Sequence, residues 1–217
     1  MTTKVTTDVI EAGAVTSTEL ATGAVGATQL ASTLDLSSKA VTLAAGEISA
    51  GELASTLDLS SKTLTMPAGQ VVQVVNTQSG AVATGTTQIP TDDTIPQNTE
   101  GDQYMTLAIT PKATTNKLKI EVVLMFALSG AGTATAALFQ DSTANALAAC
   151  CGRCDTGGGI NILKYTHYMA AGTTSATTFK VRAGPGSALT LTFNGSGGTR
   201  VFGGVAASSI TISEISV

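Results

Sequence analysis

Leu118-Lys119-Ile120-Glu121-Val122-Val123-Leu124-Met125-Phe126 opens with alternating apolar and charged residues and ends wholly apolar. A period of two places Leu118, Ile120 and Val122 on one face of a half-buried strand. The apolar continuation predicts a second half covered on both faces, by the opposite sheet and by a neighbouring subunit. Outward from this stretch, period-two or apolar β-formers fill 70–77, 81–89, 103–110, 117–128, 133–140, 145–151, 160–170, 176–182, 187–194, 199–204 and 207–217. Turn chemistry separates them at Ser79-Gly80, Thr115-Asn116, Gly157-Gly158-Gly159, Gly184-Pro185-Gly186 and Gly195 to Gly198. The longest irregular stretch is 90–102. Short strands at this spacing predict an all-β fold over residues 70–217, a β-sandwich of jelly-roll type. Only Ala144 to Cys150 also reads as a helix.

Composition narrows the function. The 217 residues are 43% hydrophobic, which excludes general disorder, but only 12% charged and 4% aromatic, with no Trp. The net charge of −4 falls in residues 1–69, where seven acids face three lysines, while residues 70–217 balance eight acids against eight bases. The bases are scattered, so nucleic acid is not an expected partner, because a duplex binder gathers Lys and Arg on one face. MTTKVTTDVIEAG lacks the basic start and apolar core of a secretion signal, and the run Val122 to Leu128 is too short to cross a bilayer. Synthesis in a cytoplasm and release by lysis or within a particle are the expectations.

The first 69 residues read differently. LASTLDLSSK at Leu30 to Lys39 recurs letter for letter at Leu53 to Lys62, and SSKAVTLAAGEI (37–48) is echoed by SSKTLTMPAGQV (60–71). GAVTSTEL (13–20), GAVGATQL (23–30) and GEISAGEL (46–53) share a further pattern. A catalytic site needs no such duplication, whereas a structure of stacked or coaxial modules does. One strand of this sequence cannot bury enough apolar area to offset its own ordering. Three copies about a common axis would bury Leu20, Leu30, Leu34, Leu36, Leu53, Leu57 and Leu59 against their symmetry mates. Thr16-x-x-Glu19 and Ser49-x-x-Glu52 match the capping box of a short helical turn. A solvated low-complexity linker is the alternative.

Candidate chemistry is sparse. Cys150, Cys151 and Cys154, with His167 downstream, offer one Cys-x-x-Cys spacing, where a structural zinc site normally uses two such pairs. Unmodified loop or buried thiols, a disulfide or intersubunit bridge, and a metal site are the readings, with the first expected. Alternation places Tyr165 and His167 on one face and Thr166 and Tyr168 on the other. No Gly-x-Ser-x-Gly elbow accompanies the single His. Asp92, Asp93, Glu100 and Asp102 share one loop without EF-hand spacing, which favours acids capping turns over a calcium site. Paired carboxylates can also hydrolyse glycosides, but such grooves are lined with aromatic platforms. Gly157-Gly158-Gly159 lacks the Lys-Ser/Thr and helix of a phosphate loop and reads as a hairpin tip. No catalytic, cofactor or metal residue is therefore expected.

GAVTSTELATGAVGATQLA and TLDLSSKTLTMPAG resemble the low-complexity repeats of tail and head fibres of tailed bacteriophages. VVQVVNTQSG, IPTDDTIPQNTEGDQYMTLAITPKATTNKLKIEVVLMFAL and the terminal ASSITISEIS resemble the β-domain that closes such fibres. The resemblance implies a homotrimeric, non-enzymatic virion protein. Residues 1–69 would form an intertwined shaft that attaches to other virion proteins, and residues 70–217 a distal knob that contacts a host glycan or protein. Head and tail attachment both remain open. A capsid decoration protein and a carbohydrate-binding or depolymerising module are the alternatives.

Overall fold

The computed structural model divides the chain into two units, and the residues it describes, 67–217, lie in the second. The duplicated segment, both capping boxes and Leu20, Leu30, Leu34, Leu36, Leu53, Leu57 and Leu59 lie outside the described residues. The strands are β1 (Val71–Ser79), β2 (Ala83–Gly85), β3 (Asp102–Ile109), β4 (Lys117–Leu128), β5 (Gly132–Gln140), β6 (Ala148–Cys154), β7 (Ile160–Ala170), β8 (Thr177–Pro185), β9 (Leu191–Phe193), β10 (Gly195–Ser196), β11 (Thr199–Arg200) and β12 (Ser208–Ile215).

The long strands form two antiparallel sheets. Sheet I runs β1-β12-β4-β7, and the short β9 and β2 take over beside β4 where β12 ends. Sheet II runs β3-β8-β5-β6. The chain crosses between the sheets at each step from β2 to β5 and again from β6 to β9, while β5 and β6 form a hairpin within sheet II, so the predicted all-β sandwich is the observed fold.

Alternation decides the core. Leu118, Ile120, Val122, Leu124, Phe126 and Leu128 on β4 join Ala134, Ala136 and Leu138 on β5, Phe179 and Val181 on β8, and Ile210 and Ile212 on β12 in one buried cluster. Each fully buried large side chain contributes about 1.5–3 kcal/mol relative to exposure. The cluster mixes the small Ala134 and Ala136 with the large Phe126 and Phe179, which suits close packing of two sheet faces.

The second half of β4 is indeed covered on both faces, but the cover is not a neighbouring subunit. Met125 and Ala127, which point away from the core, are buried within the chain itself, where β10 packs on β4. β4 leaves β12 after Val123 and joins β9 at Phe126. In the gap the Met125 amide donates to Ser208 Oγ (2.8 Å), and the Met125 carbonyl accepts from the Asn194 amide (2.9 Å).

Other expectations are corrected. Ala144 to Cys150 contains no helix: Leu147 N–H donates to Leu138 O (2.7 Å) and leads into β6, because the β5 ladder overrides the helix propensity of alanine. The stretches 81–89, 187–194 and 199–204 shrink to β2, β9 and β11, the last followed by a 3-10 turn at Phe202–Gly204. Residues 155–159 are a corner between sheets rather than a hairpin tip, since β6 and β7 belong to different sheets.

Residues 86–101 cover part of the outer face of sheet II. Ile89 is fully buried with Ala137 and Phe139, its amide bonded to Pro185 O, while Arg182 donates to the carbonyls of Glu100 (2.7 Å) and Gly101 (2.6 Å). The approach needs glycine at 184, where a Cβ would lie 2.2 Å from Thr87 O.

The domain has two distinct ends. The chain enters beside its own C-terminus, with Gly69 N–H donating to Ser216 O and Ser216 N–H to Gln70 O. Loops 110–116, 141–147 and 171–176 share that end. Loops 129–131, 155–159, 186–190 and 194–207 lie at the opposite one.

Candidate functional site

The structure separates the sulfur and imidazole groups that the sequence placed in one neighbourhood. On β6, alternation turns Cys150 and Cys154 inward and Cys151 outward. Cys150 and Cys154 are four residues apart on one strand, roughly 13 Å at strand rise, so no disulfide joins them. Cys154 Sγ accepts from Asn161 Nδ2 (3.1 Å) on β7, and His167 lies six residues further along that strand, roughly 20 Å away. Among the described residues no three His, Cys, Asp or Glu side chains gather as a metal-holding group. Burial pushes the Cys150 thiol up, with the neighbouring Cys151 adding to it, and burial lowers the His167 imidazole. Tyr165 and His167 share the inward face of β7 and Thr166 and Tyr168 the outward one, as the alternation predicts.

Two of the four loop carboxylates cap turns, and a third, Asp102, bonds across the loop. Asp92 Oδ1 accepts from the amide and hydroxyl of Thr94, and these bonds, the hydroxyl first, hold Asp92 below the usual carboxylate range. Glu100 Oε2 accepts from Gln97 N–H (2.9 Å), and Asp102 accepts from the amide and hydroxyl of Thr87. The Asp92 and Glu100 bonds are local turn chemistry, and the Asp102 bonds tie the start of the covering loop to its end.

Two buried polar clusters escaped the sequence reading. Glu214, on the inward face of β12, is fully buried. Its Oε1 accepts from Lys112 N–H (2.8 Å), Ala113 N–H (3.3 Å) and Asn116 Nδ2 (2.6 Å), and its Oε2 from Gln73 Nε2. Burial alone would raise the carboxyl, but the bonds from Asn116, Gln73, Lys112 and Ala113 outweigh it and hold Glu214 below its ordinary value. At the other end of the same strand, Ser208 Oγ donates to Asn194 Oδ1 (2.7 Å), and Asn194 Nδ2 reaches the carbonyls of Ser79 (2.6 Å) and Ala81 (3.1 Å). The turn at Gly195 to Gly198 was legible; Asn194, read as the last residue of the strand 187–194, gave no sign of its buried side-chain role.

The loop end carries the most exposed apolar groups. Phe202 is 72% exposed at a φ of 49°, a left-handed conformation that bulky residues avoid, and Val205 is 86% exposed. Gly203 and Gly204 follow with positive φ, so the turn presents Phe202 outward. Ser196 Oγ donates to Gly158 O (2.9 Å), tying this loop to the 155–159 corner.

A separate open cleft of about 180 Å³ lies on the outer face of sheet II. Pro90, Asp92 and Pro96 of the covering loop face Thr135, Ala149 and Cys151 across it. Thr135 and Cys151 are direct cross-strand partners in the β5–β6 ladder. Thr135 is 5% exposed, and its Oγ1 is buried without a hydrogen-bond partner.

No family model matches the chain, and no curated protein matches it. Among solved structures, the Gx strain of infectious bursal disease virus aligns at 15% identity and a TM-score of 0.32, over 67% of this chain and 37% of that one. T=1 particles derived from infectious bursal virus align at 15% identity and a TM-score of 0.31, over 77% and 42%. The enzymatically active domain of tailspike protein 4 of bacteriophage CBA120 aligns at 15% identity and a TM-score of 0.25, over 58% and 19%. The chain thus spans about two fifths of the length of the first two structures.

Proposed function

We propose that the chain is a non-enzymatic virion structural protein, a homotrimeric fibre of a tailed bacteriophage. Residues 1–69 intertwine with their symmetry mates through the repeated leucines and attach to other virion proteins of the tail or capsid. Residues 70–217 form the knob, whose loops contact a glycan or protein of the host surface. The observation that carries this reading is the polarity of the jelly roll: the chain enters beside Ser216, while Phe202, Val205 and the 155–159 corner occupy the far end. Loops on a rigid scaffold are where binding surfaces usually sit. The letter-for-letter repeat upstream fits a modular shaft.

Light scattering on the full chain tests the association. A mass of about three times 21.6 kDa is expected for the closed cyclic assembly, and a monomer at micromolar concentration overturns it. In the resulting trimer, Phe202→Ala with Val205→Ser should abolish competition with particles for adsorption while the assembly mass stays unchanged. Deletion across 194–199 is a poorer test, because it removes the buried Asn194 that holds Ser79, Ala81 and Ser208.

A further inference from the structure

We propose that the outward face of β7 around Tyr168 and the 91–95 loop are the two halves of one interface, through which each knob packs against the next copy of the chain in a closed ring. The number of copies rests on the homotrimer reading above, while the choice of surfaces rests on the fold.

The outward side of an antiparallel sheet that faces water is expected to be polar, yet the outward positions of β7 include Ile160, Ile162 and Tyr168, all exposed. Around Tyr168 this face is also basic. Lys119 lies directly across from Tyr168 on β4, and Lys117 lies across from Ala170. The one carboxylate among them, Glu121, is taken by Lys119 (3.0 Å). Lys117 and Lys164 are exposed and enter no ion pair among the described residues. Thr115, Lys117, Tyr168, Met169 and Ala170 line an open depression at this place.

The 91–95 loop has the opposite chemistry. Ile95 is 56% exposed and follows the exposed Asp92 and Asp93. The bases on the outer face of sheet II are engaged elsewhere: Arg153 with Asp155, Lys180 with the Asp141 carbonyl, and Arg182 with the carbonyls of Glu100 and Gly101. Neither loop aspartate enters an ion pair among the described residues. Each surface thus couples an exposed apolar side chain to unpaired charge, and the charges are opposite in sign. Two copies meeting through the same surface would set Lys against Lys or Asp against Asp, which disfavours a two-fold contact. Surface against counterpart is a heterologous contact, which closes into a ring when the rotation allows.

Position favours closure, because the two surfaces flank one edge of the sandwich at one level. Along the seam between β6 and β7, Asn161 donates to Cys154 Sγ, and a Cβ on Gly152 would lie 2.8 Å from Leu163. Continued antiparallel, this alignment sets residues 146–149 level with 166–169. Ile95 stands beside Ala146 to Ala149 on one flank, and Tyr168 lies on the other. With this edge toward a common axis, Ile95 of one copy enters the depression beside Tyr168 of the next, and Asp92 and Asp93 face Lys117. A shaft that joins the copies sets their effective concentration on the order of 1 mM, so a contact too weak to hold free knobs together is still populated.

The test introduces Ile95→Cys and Tyr168→Cys together into the full chain, with Cys151→Ser removing the exposed native thiol. Mild oxidation should give a reducible covalent trimer on a denaturing gel, and neither single cysteine variant should cross-link. Adding Asp93→Lys should lower the yield several-fold, and Lys117→Glu should then restore it. An assembly of about three times 21.6 kDa by light scattering that yields no covalent product overturns this interface and leaves the homotrimer standing, whereas a monomer overturns both. Cross-linking by a single variant, or a ladder beyond three chains, overturns the closed heterologous ring. A yield unchanged by Asp93→Lys likewise overturns the assigned pairing.

Discussion

Replacing Glu214 by Gln isolates the charge from the shape of the buried clamp. In the native protein the carboxylate accepts four hydrogen bonds, three on Oε1 from Lys112, Ala113 and Asn116 and one on Oε2 from Gln73. Bonds to a charged acceptor are worth about 1.5–3 kcal/mol each and neutral ones about 0.5–1.5 kcal/mol, so neutralising the group forfeits about 4–6 kcal/mol over four bonds. Relief from burying a charge returns part of this, and the mutant amide also sets an N–H against the Gln73 Nε2 donor. A net loss of about 2 kcal/mol follows, which lowers Tm by about 4–8 °C for a domain of this size. The pH dependence is the sharper readout. The folded pKa of Glu214 is lowered, so its stabilisation is present above the unfolded value of about 4.3 and is lost as pH falls through the folded one. Thermal denaturation followed by circular dichroism should show native protein and Glu214→Gln converging as pH drops from about 5 to 3. Equal stability at pH 7, or a gap that persists unchanged in acid, would refute the claim that the hydrogen bonds outweigh desolvation.

Gly184→Ala should detach the 86–101 loop from sheet II, because a Cβ 2.2 Å from Thr87 O displaces backbone rather than a flexible side chain. A cost of about 2–3 kcal/mol is expected, with amide exchange protection lost first at Ile89 and Gly101, and unchanged protection there would contradict the close approach. Phe202→Gly relieves a left-handed φ at an exposed site and should leave Tm equal or raise it by a few degrees for about 1 kcal/mol, while removing the apolar group offered at the loop end. A clear loss of stability would mean that Phe202 packs within the fold rather than facing outward.

β4 and β7 were legible to the residue, because period-two alternation bounded by turns is a local property. The jelly-roll class followed from the number and spacing of such runs. What covered the outer faces was not legible. A wholly apolar stretch demands cover without naming its source, and Met125 and Ala127 obtain theirs from β10 of the same chain. Likewise PTDDTIPQNTEGD read as a loop with acids capping turns, as Asp92 and Glu100 do, but nothing local recorded that it lies on a sheet. The unsatisfied Thr135 hydroxyl is invisible to pattern, since nothing in a threonine's sequence position records a missing partner. Glu214 was equally hidden, because its partners Gln73, Lys112, Ala113 and Asn116 are remote in sequence.

The two buried polar clamps answer a problem that the apolar pattern leaves unsolved. The inward face of β12 is Ser208, Ile210, Ile212 and Glu214. A slip of one residue would turn the isoleucines outward and is forbidden by burial, but a slip of two keeps an isoleucine facing the core beside β1 and β4. Hydrophobicity therefore distinguishes such registers only weakly. The polar ends distinguish them strongly, since a slipped strand leaves the Met125 amide and Asn194 without Ser208 at one end. At the other it leaves the buried Asn116 side chain without Glu214. Each orphaned buried group costs about 1–3 kcal/mol. Buried polar residues at both ends of a central strand thus fix its alignment, and with it the spacing between the end where the chain enters and the loops at the far end.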